Sequence, residues 1–497
     1  MSMNFSFDIV RNTFANRPPP RPEPQTPFRI LVLGDFSGRA NRSQLDPIDD
    51  RVPVLVDIDS IEPMMGRWKT RLALHAGTDD AFAMGFQQLD DFHPDELFRR
   101  VEIFQGFRDL RARLVHPGTS AQAAEEVRRW ASGKCASMLE PKPAEAPATP
   151  RSEFEALLGG TAGTAPSAAA SRVDAMIRDL IRPHIVPSAA PDQQELIATV
   201  DRTIAELMRA LLHDPAFQEL ESNWRSLHAL ITGLETGEEL QVWAFDVCRA
   251  ELEHDVFQDG ARGLHALLTD RPRDTPGGHP WSVICLLERF AAGPGDAHLL
   301  GALAVCAHAS GAVLLAGGAD ELAGTDSIAQ NPNPERWTRR PDGEGAEAWH
   351  LVRSLSEAGS VGLSLPRVLA RLPYGPRTDP VEAFAFEECP PGWSHESLLW
   401  GNSAVHCTLL LGRAFTSRGW SLDPCAGGDV DGLPVFVPES GSDRAAVPCA
   451  EAWLSDAGSN RLLTLGLIPV MSVQHRDAVH VPRLCAIHAG PLCPAWA

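Results

Sequence analysis

The sequence predicts an α/β fold of mixed α+β type, with mixed sheets flanked by helices in several domains and an extended N-terminal arm. Three observations predict it. Short apolar runs closed by turn residues, such as Phe28-Arg29-Ile30-Leu31-Val32-Leu33-Gly34-Asp35, read as buried strands. Elsewhere apolar residues recur every three or four positions, the stripe of an amphipathic helix. Between residues 281 and 316 the order strand, helix, strand suggests a βαβ unit.

The elements follow in chain order. Residues 1–27 form the arm, which ends in the run Arg17-Pro18-Pro19-Pro20-Arg21-Pro22. Such a run cannot join a helix and is extended. Residues 28–132 form a first domain. Its opening strand is followed by a second strand expected from Val52 to Asp59, where Pro53 favours a strand start or an edge. Thr70 to His75 alternates. His93-Pro94-Asp95-Glu96 carries the proline and acids favoured in a first helical turn. Leu97, Val101, Phe104, Phe107, Leu110 and Leu114 then predict one apolar helical face.

Residues 133–171, rich in Ala, Pro, Ser, Thr and Gly, read as a flexible linker. One apolar island, Phe154, Leu157 and Leu158, interrupts it, either a transient helical turn or a docking peptide. Residues 172–497 form the second large unit. Ile197, Val200, Ile204, Leu207, Met208 and Leu211 make one helical stripe, His213-Asp214-Pro215 ends it, and Phe217, Leu220, Trp224, Leu227 and Ile231 make another. Strands are expected at 240–247, 281–287 and 312–316, with a helix from about residue 296 to 309.

Composition narrows the function. The 497 residues carry a net charge of −21, which argues against nucleic acid or anionic lipid as main partners. The first residues show no basic start with a long apolar run, and no stretch of about 18 apolar residues occurs, so neither a secretory signal nor membrane insertion is expected. The 10 cysteines are scattered without a CxxC pair and read as buried thiols of a cytoplasmic protein.

Catalytic and cofactor motifs fail in turn. The loop after Gly34 lacks the Gly-Lys-Ser/Thr of a phosphate cradle. Gly362-Leu363-Ser364-Leu365-Pro366 has proline where a nucleophile elbow needs glycine. Asp57-Ile58-Asp59 lacks a third cation ligand, and the spacing of His475, His480, Cys485, His488 and Cys493 fits no zinc template. No cofactor, metal or catalytic group is therefore assigned, and the chain is not expected to be an enzyme.

One block stands out. Residues 361–375 combine Pro366 and Pro373 with Arg367, Arg371 and the chain's only tyrosine, Tyr374. On a helix Arg367 and Arg371 would share a face. Glu387 and Glu388 are acids close by in sequence, so an internal ion-pair cluster is the favoured reading over a ligand site.

This block resembles the Pro-Arg…Arg-Leu-Pro-Tyr-Gly motif of the large contractile-sheath subunit of type VI secretion systems, here Pro366, Arg367, Arg371, Leu372, Pro373, Tyr374 and Gly375. The similarity continues through Phe386-Glu387-Glu388, Trp400-Gly401-Asn402 and Gly419-Trp420. Upstream it includes the stretch holding Phe217, Glu221, Trp224 and Arg225, and Gly277-Gly278-His279-Pro280-Trp281. Downstream it reaches Gly466-Leu467-Ile468-Pro469-Val470. The first domain resembles the small sheath subunit at Pro27 to Arg39, at Leu89-Asp90-Asp91-Phe92-His93-Pro94 and at Phe107 to Leu114.

The resemblance implies a sheath-type fold with both subunits fused, and a mechanical role. Sheath subunits would stack around an inner tube and contract to propel it. The implied partners are other sheath subunits, an inner-tube protein, baseplate components and a hexameric disassembly ATPase, for which Phe154, Leu157 and Leu158 are a candidate docking segment. Residues 3–10 are a candidate arm for strand exchange. Family members continue past the point matching Ala497, so a cap, baseplate adaptor or regulator of assembly is the alternative. An enzyme whose site the sequence does not display is the third reading.

Overall fold

The computed structural model describes residue 10 and residues 21–74, 82–131, 193–274, 278–339, 343–438 and 446–497. The 133–171 linker, the Phe154, Leu157 and Leu158 island, the helical reading of 172–192 and residues 3–9 of the arm lie outside the described residues. Val10 alone of that arm segment is described, and it is buried.

The first part contributes strands β1 (Phe28–Gly34) and β2 (Val54–Val56), helix α1 (Ile61–Trp68), and strands β3 (Arg71–Leu74) and β4 (Phe82–Gly85). Helices α2 (Pro94–Arg100), α3 (Gln105–Val115) and α4 (Ser120–Ala131) follow. The second part begins with α5 (Gln193–Leu212), α6 (Pro215–Thr232), β5 (Leu240–Asp246) and α7 (Arg249–Phe257). Then come β6 (Val283–Phe290), α8 (Pro294–Ser310), β7 (Val313–Gly318), α9 (Gly343–Ser354) and β8 (Val361–Leu365). The chain continues through β9 (Val368–Leu369), β10 (Trp400–Gly401), α10 (Ala404–Arg418) and β11 (Ala426–Asp431). It ends with α11 (Asp456–Thr464), β12 (Leu467–Pro469), β13 (Met471–Ser472) and β14 (Ala478–Arg483).

A seven-stranded sheet organises these elements, in the order β12-β8-β7-β6-β1-β5-β2. All its pairings are parallel except that of β2, which runs antiparallel at one edge, where Pro53 precedes it. β1 comes from the first part, yet it lies between two strands of the second. It pairs with β5 along seven residues, from Phe28 with Leu240 to Gly34 with Asp246, and with β6 from Ile30 to Leu33.

Parallel strands inside such a sheet are covered on both faces, which is why they read as continuous apolar runs. Alternation divides them. Phe28, Ile30 and Val32 join the core beneath α5, α6 and α10. Leu31 and Leu33 join the opposite core beneath α7, α8 and α9. The βαβ unit forms as expected, with β6 and β7 parallel and α8 between them.

Arg29 is an exception on β1, 7% exposed. Among the described residues it forms no ion pair; its guanidinium donates to the His279 carbonyl, lies 4.0 Å from the Trp281 ring and 4.7 Å from that of Trp243, and desolvation lowers its pKa to about 10. Its Nε has no hydrogen-bond partner.

Two sequence expectations change. The apolar stripe from Leu97 to Leu114 is not one helix, because the chain leaves helical geometry at Val101 (ψ 129°) before α3 begins. All six stripe residues are buried, and so is Phe98, whose ring lies 5.7 Å from that of Phe104. Six positions apart, those two rings would point to different faces of a straight helix, so the break lets both enter one core. The segment holding Arg367 and Arg371 is extended, running through β9 between Pro366 and Pro373, so the two arginines do not share a helical face. The strand expected from Val52 to Asp59 ends at Val56, and Asp57 to Asp59 form a turn after β2, where the Asp57 carboxylate accepts the Ser60 amide.

Candidate functional site

Helix α6 builds the site. Asp214 caps it by accepting the amides of Ala216 and Phe217, and Pro215 occupies the first turn, where no amide is needed. Residues 217, 221, 224 and 225 recur at helical spacing and share one side. Phe217 packs edge-on against Phe86 and Phe92 of the first part. Trp224 packs against Phe36 and Trp68, and its indole donates to the Phe36 carbonyl at 2.8 Å. Asn223 donates to the Asp35 carbonyl. One helix thus grips the first part of the chain while its charged residues reach the 366–388 block.

That block carries Arg371, which is 7% exposed. Its guanidinium donates to Glu221 at 2.7 and 3.2 Å and to Glu388 at 2.7 and 3.1 Å. Arg225 donates to Glu221 at 2.7 Å and to the Tyr374 hydroxyl at 3.0 Å. The Tyr374 ring lies 4.0 Å from the Arg371 guanidinium, and the Tyr374 amide donates to Glu388. Two arginines and two glutamates balance in charge, and bidentate bonds satisfy the buried carboxylates. Burial opposes ionisation of Glu221, but Arg371 and Arg225 outweigh it and hold the carboxyl below its usual range. Burial pushes the Tyr374 phenol up.

Arg367 belongs to a separate cluster. It donates to Glu451 at 2.8 Å and to Glu396 at 3.3 Å, and His395 lies 3.2 Å from Glu451. Burial works against the charged form of Glu451, yet hydrogen bonds from His395 and Arg367 bring its pKa down to about 2. Glu387, the other acid named from sequence, joins neither cluster. The extended backbone turns Glu388 inward and leaves Glu387 exposed, lining a cavity of about 270 Å³ with Pro373, Tyr374 and Gly375.

The remaining predicted residues are structural contacts around these clusters. Pro366 is buried between β8 and β9. Trp400 and Gly401 form β10, which pairs with β9, and the Trp400 carbonyl accepts from Ser222 of α6. Asn402 donates to the Glu288 carbonyl and accepts the Ala404 amide at the start of α10. Trp420 donates to the Thr26 carbonyl and packs against Phe28 and Phe415.

Sequence reasoning missed a third buried cluster. Arg39, in the loop after β1, pairs with Glu251, Asp246 and Asp46. Asp246 in turn accepts the amides of Phe36 and Ser37, while Asp35 accepts those of Gly38, Arg39 and Ala40. The signal was available as an aspartate closing each of two apolar strand runs, Asp35 after β1 and Asp246 at the end of β5. Ser364, in the block that resembles a nucleophile elbow, is buried and meets Ser403 and the Ala316 carbonyl. Among the described residues no group of three His, Cys, Asp or Glu side chains could hold a metal ion, and no helix is long and apolar enough to cross a membrane.

Comparison with known proteins adds the family. Residues 194–482 match the model of the family described as EvpB/VC_A0108, tail sheath N-terminal domain. Residues 21–131 match that described as type VI secretion system, VipA, VC_A0107 or Hcp2. Among curated proteins, the chain is 29% identical over 297 residues to the type VI secretion system sheath protein TssC1 of Pseudomonas aeruginosa. That alignment covers 57% of this chain and 59% of the relative's length.

Proposed function

Because the chain belongs to the EvpB/VC_A0108 tail-sheath family, whose model covers more than half of it, we propose that it is a mechanical subunit of a type VI secretion sheath. In this reading it carries small-subunit and large-subunit parts in one chain. It associates with other sheath subunits around an inner-tube protein and moves between two packings whose free-energy difference drives contraction. The work is mechanical and no bond chemistry is required, so the protein is not an enzyme. Baseplate components contact the end of the assembly, and a hexameric ATPase docks on Phe154, Leu157 and Leu158. The assembly is cytoplasmic, without nucleic acid or membrane insertion.

The observation that carries this reading is the placement of β1 between β5 and β6, reinforced by α6. A subunit that transmits force benefits when its two parts cannot slide apart, and the ladders of β1 with β5 and β6 and a shared core resist that far better than a surface contact. Residues 133–171 act as a tether that keeps the pairing one-to-one.

Negative-stain electron microscopy of the purified chain, alone and with an inner-tube protein, tests the proposal. Rings or tubes are the expected result. A monodisperse monomer in both conditions would reject the sheath-subunit role in favour of a cap, adaptor or regulator. Deleting residues 154–158 should abolish co-purification of the ATPase, and unchanged binding would remove that docking assignment.

A further inference from the structure

A groove of about 630 Å³ runs beside the turn between β13 and β14, where the chain passes from Val473 to Asp477. Val435, Val447, Pro448 and Val473 form its apolar walls. Trp453 stands at its rim and is 42% exposed, so a large aromatic face is open to solvent. The local charge is negative. Arg476 is already taken by Asp429 and Asp431, whereas Asp477 is exposed and forms no ion pair among the described residues.

An open aromatic ring beside apolar walls, with an acid to receive an arginine, suits an extended proline-rich segment. The chain contains one, Arg17-Pro18-Pro19-Pro20-Arg21-Pro22, with an arginine on each side of three prolines. Proline fixes φ in advance, so such a run loses little entropy when it docks.

The run does not reach its own groove. Thr26 is held beside β1, where its carbonyl accepts the Trp420 indole. The groove lies past β12, four strand spacings from β1 and at the opposite end of the strands. At about 4.8 Å per spacing and 3.3 Å per residue this is roughly 30 Å. Pro20 precedes Thr26 by six residues, and six extended residues span about 20 Å.

We propose that the groove receives the proline-rich run, residues 17–22, of a second copy of this chain. The prolines lie on Trp453 and between Val435, Val447 and Val473, and a flanking arginine pairs with Asp477. The contact is heterologous, arm into groove, so each copy offers both halves. It does not depend on the sheath reading, and its failure would leave that reading standing.

A fluorescein-labelled peptide with the sequence of residues 14–24, titrated into the full chain and followed by polarisation, tests the groove. Saturable binding is expected. Trp453→Ala, at an exposed position, should keep the melting temperature and weaken the peptide at least about tenfold. Replacing Pro18, Pro19 and Pro20 by Ala in the peptide should weaken it to a similar extent. Absence of saturable binding, or binding unaffected by Trp453→Ala, overturns the proposal. Sedimentation velocity then tests the second copy. Taking Trp453→Ala as one variant and Pro18→Ala, Pro19→Ala, Pro20→Ala as another, each should self-associate less than the parent. Their mixture should regain one contact, from the intact arm of the first into the intact groove of the second. Loss of association in neither variant, or a mixture no more associated than its components, rejects the second copy as the occupant.

Discussion

Replacing Arg371 by Met removes the one guanidinium shared by Glu221 and Glu388, which are 0% and 1% exposed. Glu221 keeps its bond from Arg225, whereas Glu388 keeps the Tyr374 amide and has His213 no nearer than 3.9 Å. Removing one partner of a buried pair leaves a charge without compensation and costs about 3–5 kcal/mol. Urea unfolding at pH 7, followed by tryptophan fluorescence and circular dichroism, should show a deficit in that range. The double variant Arg371→Met, Glu388→Gln removes a charge of each sign, so it should recover about 2 kcal/mol of the loss. The deficit should also shrink toward pH 5. In the parent the folded pKa of Glu221 is depressed, so its contribution is present above its unfolded value and falls away only as pH drops through the folded one. In the variant the carboxyl loses its main opposing charge and takes up a proton at higher pH, which relieves the buried charge. A deficit under about 1 kcal/mol, additive double variants, or a loss equal at pH 5 and pH 7 would refute the reasoning.

Other outcomes follow from the same geometry. Glu451 has a folded pKa of about 2 against an ordinary 4.5, so it stabilises the fold above pH 4.5 and this contribution disappears as pH falls toward 2. Glu451→Gln should therefore be less stable than the parent at pH 7, with the gap narrowing across that window in pH-dependent urea melts. Trp224→Ala should cost about 3–5 kcal/mol in thermal or urea unfolding. Trp224→Phe should cost less than half of that, because the Thr70 hydroxyl still donates to the Phe36 carbonyl at 3.1 Å. Arg29→Met should be neutral or stabilising by about 1 kcal/mol, since it removes a buried cation that has no acid partner among the described residues, and a large loss in urea melts would contradict this.

The strands were legible in the sequence where burial on both faces leaves an uninterrupted apolar run, as at Phe28–Gly34 and Val313–Gly318. Their order was not, because the neighbours of β1 lie more than 200 residues downstream and a run of Ile, Leu and Val carries no partner label. Arg371 was named from the sequence, and its partner Glu221 sits 150 residues away. Arg367 and Arg371 would share a face only on a helix, whereas the two flanking prolines pointed to extended chain and so to different partners. Glu451 was visible in principle, as a lone acid in the apolar run Cys449-Ala450-Glu451-Ala452, the pattern of a buried charge. The choice between Glu387 and Glu388 could also have been made from alternation, since Phe384 and Phe386 are buried on the same side as Glu388.

The central claim is that the two parts of the chain form one sheet rather than two tethered domains. A protease site inserted within residues 133–171, cut after folding and followed by size-exclusion chromatography, tests it most directly. The account predicts that both fragments co-elute as one species of unchanged size and separate only when the fold is melted, because β1 is held between β5 and β6. Two separately eluting, folded fragments under native conditions would contradict it.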